Sequence, residues 1–401
     1  MMTTDLSPAG SGSPAPLRIG FIPLADAAAL IVAVDKGFAR AQGLDVELVR
    51  EISWSNVRDR LNIGQFDAAH LLAPVAIASS LGLGHVRVPI LAPFNLGLNG
   101  NAISVTPALH AALRCEADGD LADPRVTGAA PARVVAARKR QGREPLTFGM
   151  TFPYSTHNYQ LRFWMAAGGV DPDEDIRLVV LPPPYMVESI ANGHVDAFCV
   201  GAPWNSVAVD LGIAHILHFV SEILERAAEK VLAVRSDWAG QHPELLARLL
   251  KAHAAAAAYV EDLANRDEVC RVLAAPNRLG VAPEVIRRTL DGRLKVSPSG
   301  DLRTCERYLM IGREGAARPD PVQAAWLYAQ MIRWGQAPMA PDLLEAALGV
   351  FRPDIYDHVL GAASERGAGA PADGIGAFAG PPFDARDIRG HLEPWRIKRG
   401  A

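Results

Sequence analysis

The 401-residue chain is poor in cysteine, in long apolar runs and in net charge of either sign. Its four cysteines, Cys115, Cys199, Cys270 and Cys305, stand at least 35 residues apart, so neither a CxxC metal site nor a local disulfide framework can be read from them. We read them as reduced thiols. The longest unbroken apolar run, Ala27 to Val34, is eight residues, whereas a membrane-spanning helix needs roughly 20, so no membrane span is expected. Lys plus Arg number 40 against 44 Asp plus Glu, a net charge of −4. That balance offers no global field for nucleic acid or an anionic membrane, and any anion must be bound locally. The G-x-x-x-x-G-K-[ST], H-E-x-x-H and G-x-S-x-G signatures are also missing. Gly82-Leu83-Gly84-His85-Val86-Arg87 starts like a dinucleotide fingerprint but has arginine at the third glycine position. His215 and His218 form an isolated HxxH on an apolar stretch without further ligands nearby, and read as packed or capping histidines. Neither an enzyme nor a cofactor or metal requirement is expected.

What is present is a soluble globular composition, 49% apolar and 21% charged, in a length fit for two to three compact units. From Leu17 the pattern alternates. LRIGFI reads as a buried strand, the segment from Asp26 to Gly43 as a helix, LDVELV as a strand and Ser55 to Ile63 as a helix. A strand FDAAHLL, a helix from Pro74 and a strand VRVPILA follow. Strands separated by helices imply βαβ units and parallel-dominated sheets. A shift of 129 residues aligns Leu17 with Leu146, Gly20 with Gly149, Gly64 with Gly193, Asp67 with Asp196, Ala68 with Ala197 and Pro74 with Pro203. LNIGQFDAAHLLAP and IANGHVDAFCVGAP match at five of fourteen positions. Duplicated α/β lobes imply a cleft between them, a favoured place for a ligand.

The expected organisation is a disordered leader over 1–16, lobe 1 over 17–105 plus 231–401 with a helical extension, an exposed insertion over 106–145, and lobe 2 over 146–230. The polar stretch Arg114 to Pro145 holds seven basic and five acidic residues. Its five positive charges between Arg133 and Arg143 read as a solvated face rather than a nucleic-acid contact. Glu365 to Gly380 is rich in glycine and alanine and expected to be loose. Residues 1–16 contain one Asp, no Lys or Arg and no apolar stretch, so they lack the basic start and hydrophobic core of a secretory signal.

Hydrogen-bond donors recur at strand ends and helix starts, where open α/β sheets bind ligands. Thr156 reads as an N-cap, placing His157 in the first turn of the next helix. Strand DAFCV runs into Gly201-Ala202-Pro203-Trp204, where Gly201 leaves its main-chain N–H open to a ligand.

The segments GFIPLADAAALIVAVDKGF, EISWSNVRDRL, FDAAHLLAP, NGNAISV, MTFPYSTHNYQLRFWMAAGG, FCVGAPWN and KVLAVRSDW resemble, in order, the nitrate-binding proteins of the nitrate/bicarbonate solute-binding family. The resemblance is strong over Leu17 to Trp238 and loose beyond. It implies a two-lobed type II periplasmic-binding-protein fold and nitrate held between the lobes by Trp54, Asn101, His157, Gly201 and Lys230. The family commonly has glutamine in place of Asn101, and its bicarbonate branch has an acidic residue in place of Lys230 together with a recruited cation. Taken alone, each residue has a plainer explanation: Trp54 a packed aromatic, Asn101 a turn residue, Gly201 a hinge, and Lys230 a solvated member of ERAAEK. Nitrate has three acceptor oxygens and no donor. The expectation is therefore that every contacting group donates, with His157 protonated, Asn101 and Gly201 joining opposite lobes and Lys230 near the crossover.

Several stretches, among them LGLGHVRVPILAPFNLGLNGNAISV, look closest to the cytoplasmic NasS-type sensors of nitrate assimilation. That likeness implies a cytoplasmic nitrate or nitrite sensor that holds an RNA-binding antitermination regulator of the ANTAR type and releases it when the anion binds. No direct nucleic-acid contact is expected of the sensor itself. The alternatives are the substrate-binding component of a nitrate ABC transporter and, in a different class, an enzyme resembling the pyrimidine synthases of thiamine biosynthesis. The dispersed cysteines argue against the latter, because those enzymes carry a clustered cysteine motif.

Overall fold

The computed structural model describes residues 16–361 and 370–399. The expected leader, apart from residue 16, and residues 365–369 of the expected loose segment lie outside the described residues. Thirteen strands occur among the described residues: β1 (Leu17–Phe21), β2 (Val46–Arg50), β3 (Ala68–Leu72), β4 (Ile90–Asn99), β5 (Asn101–Val105), β6 (Thr147–Met150), β7 (Arg177–Val180), β8 (Ala197–Gly201), β9 (His215–Phe219), β10 (Ala228–Arg235), β11 (Arg293–Lys295), β12 (Leu302–Thr304) and β13 (Leu309–Met310). One sheet has the order β13-β4-β10-β3-β1-β2, the other β7-β6-β8-β5-β9, and β11 and β12 form a separate pair.

The two sheets repeat one plan. In each, three parallel strands joined by helices stand in the order second, first, third: β2-β1-β3 and β7-β6-β8. An antiparallel strand then flanks the third, β10 in one sheet and β5 in the other. The duplicated sequence positions have matching physical jobs. Asp67 accepts a hydrogen bond from the Arg18 N–H, and Asp196 from the Thr147 N–H, both at 2.8 Å, so each carboxylate fastens the start of its lobe's first strand. Gly64 (φ 77°) and Gly193 (φ 71°) end the preceding helices in the left-handed conformation that glycine adopts without steric cost.

The lobe boundaries differ from those expected. Asn99 (φ 62°) and Gly100 (φ 85°) turn the chain from β4 of one sheet into β5 of the other, so residues 101–105 belong to lobe 2. The sequence marks a turn here, Asn99-Gly100-Asn101 between two apolar stretches, but does not show that the strands on either side of it join different sheets. Strand β10, beginning at Ala228, returns the chain to lobe 1.

The stretch expected to be an exposed insertion is instead two packed helices, Pro107–Glu116 and Pro124–Arg140. Each starts with proline behind a capping side chain, Thr106 accepting from the Leu109 N–H at 3.2 Å and Asp123 from the Arg125 N–H at 2.8 Å. Thr127, Ala130, Pro131, Val134 and Val135 form a buried stripe at helical spacing, diluted in the sequence by the intervening arginines and alanines. Thr127 hydrogen-bonds the Trp164 indole at 3.3 Å and the buried His218 ring, so His218 is a packed histidine. His215 stacks on His110 with centroids 4.0 Å apart. Arg133 pairs with Asp118 at 2.8 Å, and Lys139 pairs with Asp175. Of the segment expected to be loose, the described part is tied down, with Asp373 accepting from the N–H groups of Ile375, Gly376 and Phe383.

Beyond β10 the chain is mainly helical. The helix Pro243–Glu261 packs on the helix Ala28–Asp35 of lobe 1, and Pro321–Arg333 packs on Ala73–Leu81. Among the described residues no helix is long and apolar enough to cross a membrane.

Candidate functional site

Where the sheets meet, the five residues expected from sequence come together around two carboxylates. Trp54 opens the helix Trp54–Asn62, whose cap is Ser53, accepting from the Asn56 N–H at 3.3 Å. Asn101 is the first residue of β5 and pairs in register with Gly201, the last of β8. A Cβ on Gly201 would lie 3.4 Å from Asn101 Oδ1 and equally near Leu24, so glycine here lets the Asn101 side chain and Leu24 approach the main chain closely. His157 lies in the first turn of the helix Thr156–Ala167, but the cap is Ser155, which accepts from the Asn158 N–H at 3.1 Å, rather than Thr156. The Thr156 hydroxyl instead donates to the Ala228 carbonyl at 3.0 Å and ties this lobe 2 helix to β10 of lobe 1.

Glu229 and Lys230 are adjacent in β10, and in a regular strand they would point to opposite faces. The ladder slips between Ala228 and Lys230, which pair with Leu98 and Gly97. This bulge brings both side chains into one cluster. Lys230 Nζ lies 2.9 Å from Glu229 Oε1 and 3.0 Å from Asp26 Oδ2, and stands 5.3 Å from the centre of the Trp54 ring. Asp26 Oδ1 is 2.9 Å from His70 Nε2. On the other side, Glu229 Oε2 accepts from the Asn101 amide at 2.7 Å, and Glu229 Oε1 lies 3.1 Å from His157 Nδ1. The Asn101 amide also donates to Gln160 Oε1 at 3.2 Å. Apart from Gly201, which is buried, every side chain in this group is at most 2% exposed.

Burial acts to raise the Asp26 carboxyl, but Lys230 and His70 overcome it and bring the group down to about 2. For Glu229 burial prevails, and its carboxyl titrates above the ordinary range. Burial also works against the Lys230 ammonium, yet Asp26 and Glu229 hold it above its usual value, firmly charged. His157 is driven well below the usual histidine range by burial and by Lys230, so the imidazole by itself is neutral near pH 7. Burial likewise lowers His70.

Two acceptors not anticipated from sequence, Asp26 and Glu229, stand at the centre of the cluster and hold Lys230 and Asn101 in place. The placement of Asn101 in lobe 1 is corrected. Asn101, His157 and Gly201 belong to lobe 2, while Trp54, Lys230, Asp26 and Glu229 belong to lobe 1. Sequence reasoning passed over Glu229 within a run read as solvated, Asp26 as a helix opener, and His70 and Gln160 entirely. Gln160 had a usable signal, because it stands three residues after His157 on the same helix face.

Four polar atoms of this cluster are buried without a hydrogen-bond partner: Trp54 Nε1, Asn101 Oδ1, His157 Nε2 and Gln160 Nε2. Buried polar groups are ordinarily paired, and leaving one unmet costs on the order of 1–3 kcal/mol. Four together, beside a buried ammonium, mark a place prepared for a small polar guest. Among the described residues no group of three or more His, Cys, Asp or Glu side chains is arranged to hold a metal ion.

Residues 10–274 match the family model described as the NMT1-like family. The chain belongs to the NMT1-like family. Within it, the chain falls among the solute-binding proteins of the nitrate/bicarbonate type. It is 30% identical to the nitrate/nitrite binding protein NrtA of Synechococcus elongatus, over 99% of this chain and 90% of that protein. It is 32% identical to the bicarbonate transport ATP-binding protein CmpC of the same species, over 96% of this chain and 55% of that longer relative. The structure superposes on the crystal structure of the periplasmic nitrate-binding protein NrtA from Synechocystis PCC 6803 with a TM-score of 0.83 at 26% identity, covering 95% of this chain and 98% of the other. The two-lobed periplasmic-binding-protein fold is thereby established for this NMT1-like chain. The relatives that cover nearly the whole of this chain over most of their own length are named as nitrate-binding proteins.

Proposed function

We propose that the chain binds nitrate between its lobes and serves as the substrate-binding component of a nitrate importer. The observation that carries this reading is the set of unpartnered buried donors around a fixed ammonium. Trp54 Nε1 and Gln160 Nε2 have no other acceptor, and Lys230 supplies the positive charge. The main-chain N–H of Gly201, buried at the end of β8 beside Asn101, and His157 Nε2 complete the set from lobe 2. Each hydrogen bond to a charged oxygen contributes on the order of 1.5–3 kcal/mol net, so a few of them suffice for micromolar affinity, about −8 kcal/mol, after ordering costs. Donors from both lobes bridged by one anion favour the closed arrangement of the lobes.

The names of the relatives, a binding protein and a transport ATP-binding protein, favour the importer role over the cytoplasmic sensor suggested by the sequence. The test is isothermal titration of nitrate into wild type and Trp54→Phe, followed by reconstitution with the cognate permease and ATPase. Nitrate-stimulated ATP hydrolysis supports the importer role. Co-elution with an ANTAR-type regulator that nitrate abolishes would instead establish the sensor.

A further inference from the structure

We propose that the anion enters this site together with one proton, held by the His157–Glu229 pair. The inference rests on the nitrate reading above and concerns how the site balances charge. A neutral imidazole has one N–H. His157 Nδ1 lies 3.1 Å from both Glu229 Oε1 and Thr151 Oγ1, while Nε2 is buried without a partner. With the hydrogen on Nδ1, directed at the carboxylate, Nε2 presents a lone pair that repels an acceptor-only anion. With the hydrogen on Nε2, facing the anion, the Nδ1 lone pair accepts from the Thr151 hydroxyl but still confronts a carboxylate oxygen at 3.1 Å. One added proton removes the conflict. The imidazolium donates from both nitrogens or, equivalently in composition, a protonated Glu229 donates to Nδ1 while Nε2–H donates to the anion.

Charge leads to the same result. Asp26, Glu229 and Lys230 sum to −1 with both histidines neutral, and a monoanion would bring a fully buried cluster to −2. The proton restores −1. The other groups facing the pair cannot supply it. His70 on β3 is lowered and its Nε2 faces Asp26, and Asp26 titrates at about 2. Lys230 on β10 and Cys199 on β8 are raised, as is Tyr308 beyond β12. Asn101 and Gln160 do not titrate. Burial raises Glu229 and lowers His157, so the two members of the pair move toward each other.

The experiment is calorimetry of potassium nitrate binding to the full chain at pH 7.5 in HEPES and in Tris, whose ionisation enthalpies differ. The expected slope of observed enthalpy against buffer enthalpy corresponds to about one proton taken up, with Kd rising about tenfold per pH unit on the alkaline side. Glu229→Gln is expected to bring the slope to zero and flatten the pH dependence. The wild-type measurement stands by itself where that variant does not fold. Nitrate binding with a zero slope and a Kd constant from pH 6 to 9 overturns this inference and leaves the nitrate reading intact. No binding at any pH overturns both.

Discussion

Replacing Asp26 with asparagine removes one charge from the cluster and keeps its shape, and the consequence can be worked from the structure. Asp26 is fully buried and meets Lys230 Nζ at 3.0 Å and His70 Nε2 at 2.9 Å. Its fall from the ordinary 3.8 to about 2 is worth about 2 kcal/mol of folding free energy. Stripping one partner from a buried ion pair sets an upper figure of about 3–5 kcal/mol. Glu229 remains beside Lys230 in the variant, so a loss of about 2–4 kcal/mol at pH 7 is expected. The sign with pH follows from a folded carboxyl more acidic than the unfolded one. Its contribution is fully present above the unfolded value of 3.8 and disappears as pH falls through about 2. Urea unfolding of both proteins, followed by tryptophan fluorescence from pH 7 down to pH 2.5, should show a gap that is constant at neutral pH and shrinks below pH 4. A gap under about 0.5 kcal/mol at pH 7, or one unchanged at pH 2.5, would refute the claim that Asp26 holds the Lys230 charge in place.

Three further outcomes are expected. Trp54→Phe removes an indole N–H that has no partner in the protein; thermal unfolding should move little while nitrate affinity, read by calorimetry, drops about tenfold or more. Lys230→Glu would crowd three carboxylates into a buried cluster. We expect loss of nitrate binding together with a thermal shift of many degrees, whereas a solvated lysine would have left stability unchanged. Gly168→Ala would place a Cβ 1.5 Å from the Gly128 carbonyl oxygen, where the helix Pro124–Arg140 meets the end of Thr156–Ala167. A loss of about 3 kcal/mol or more in urea unfolding is expected.

The parts of the fold that could be read from sequence were those with a repeated local signature. The G-x-x-D-A positions stood out because glycine and aspartate do the same two jobs in each lobe, a left-handed helix end and an anchor for the first strand. The crossover at Asn99 and Gly100 was hidden, because the Asn-Gly-Asn turn reads the same whether the strands beside it share a sheet or change sheets, and only the tertiary pairing of β5 with β8 and β9 separates the two cases. The buried stripe of the helix Pro124–Arg140 was masked by its arginines for a similar reason, composition averaging over a face that only periodicity separates. At the site, Trp54, Asn101, His157, Gly201 and Lys230 were each placed by a family pattern, and the structure brings them together. Glu229 escaped notice because a one-residue bulge in β10 is invisible in sequence, and only that bulge turns it into the cluster. The forces that lower His157, burial and the Lys230 neighbour, were invisible for the same reason, since they are properties of the folded chain.

The central claim, that this buried cluster is built for nitrate, is tested most directly by titrating nitrate, nitrite, bicarbonate with calcium, sulfate and chloride separately into the purified chain in a calorimeter. The account predicts one nitrate site per chain at micromolar affinity, weakened about tenfold or more in Trp54→Phe and lost in Lys230→Glu. Binding of bicarbonate with calcium and not of nitrate would contradict it.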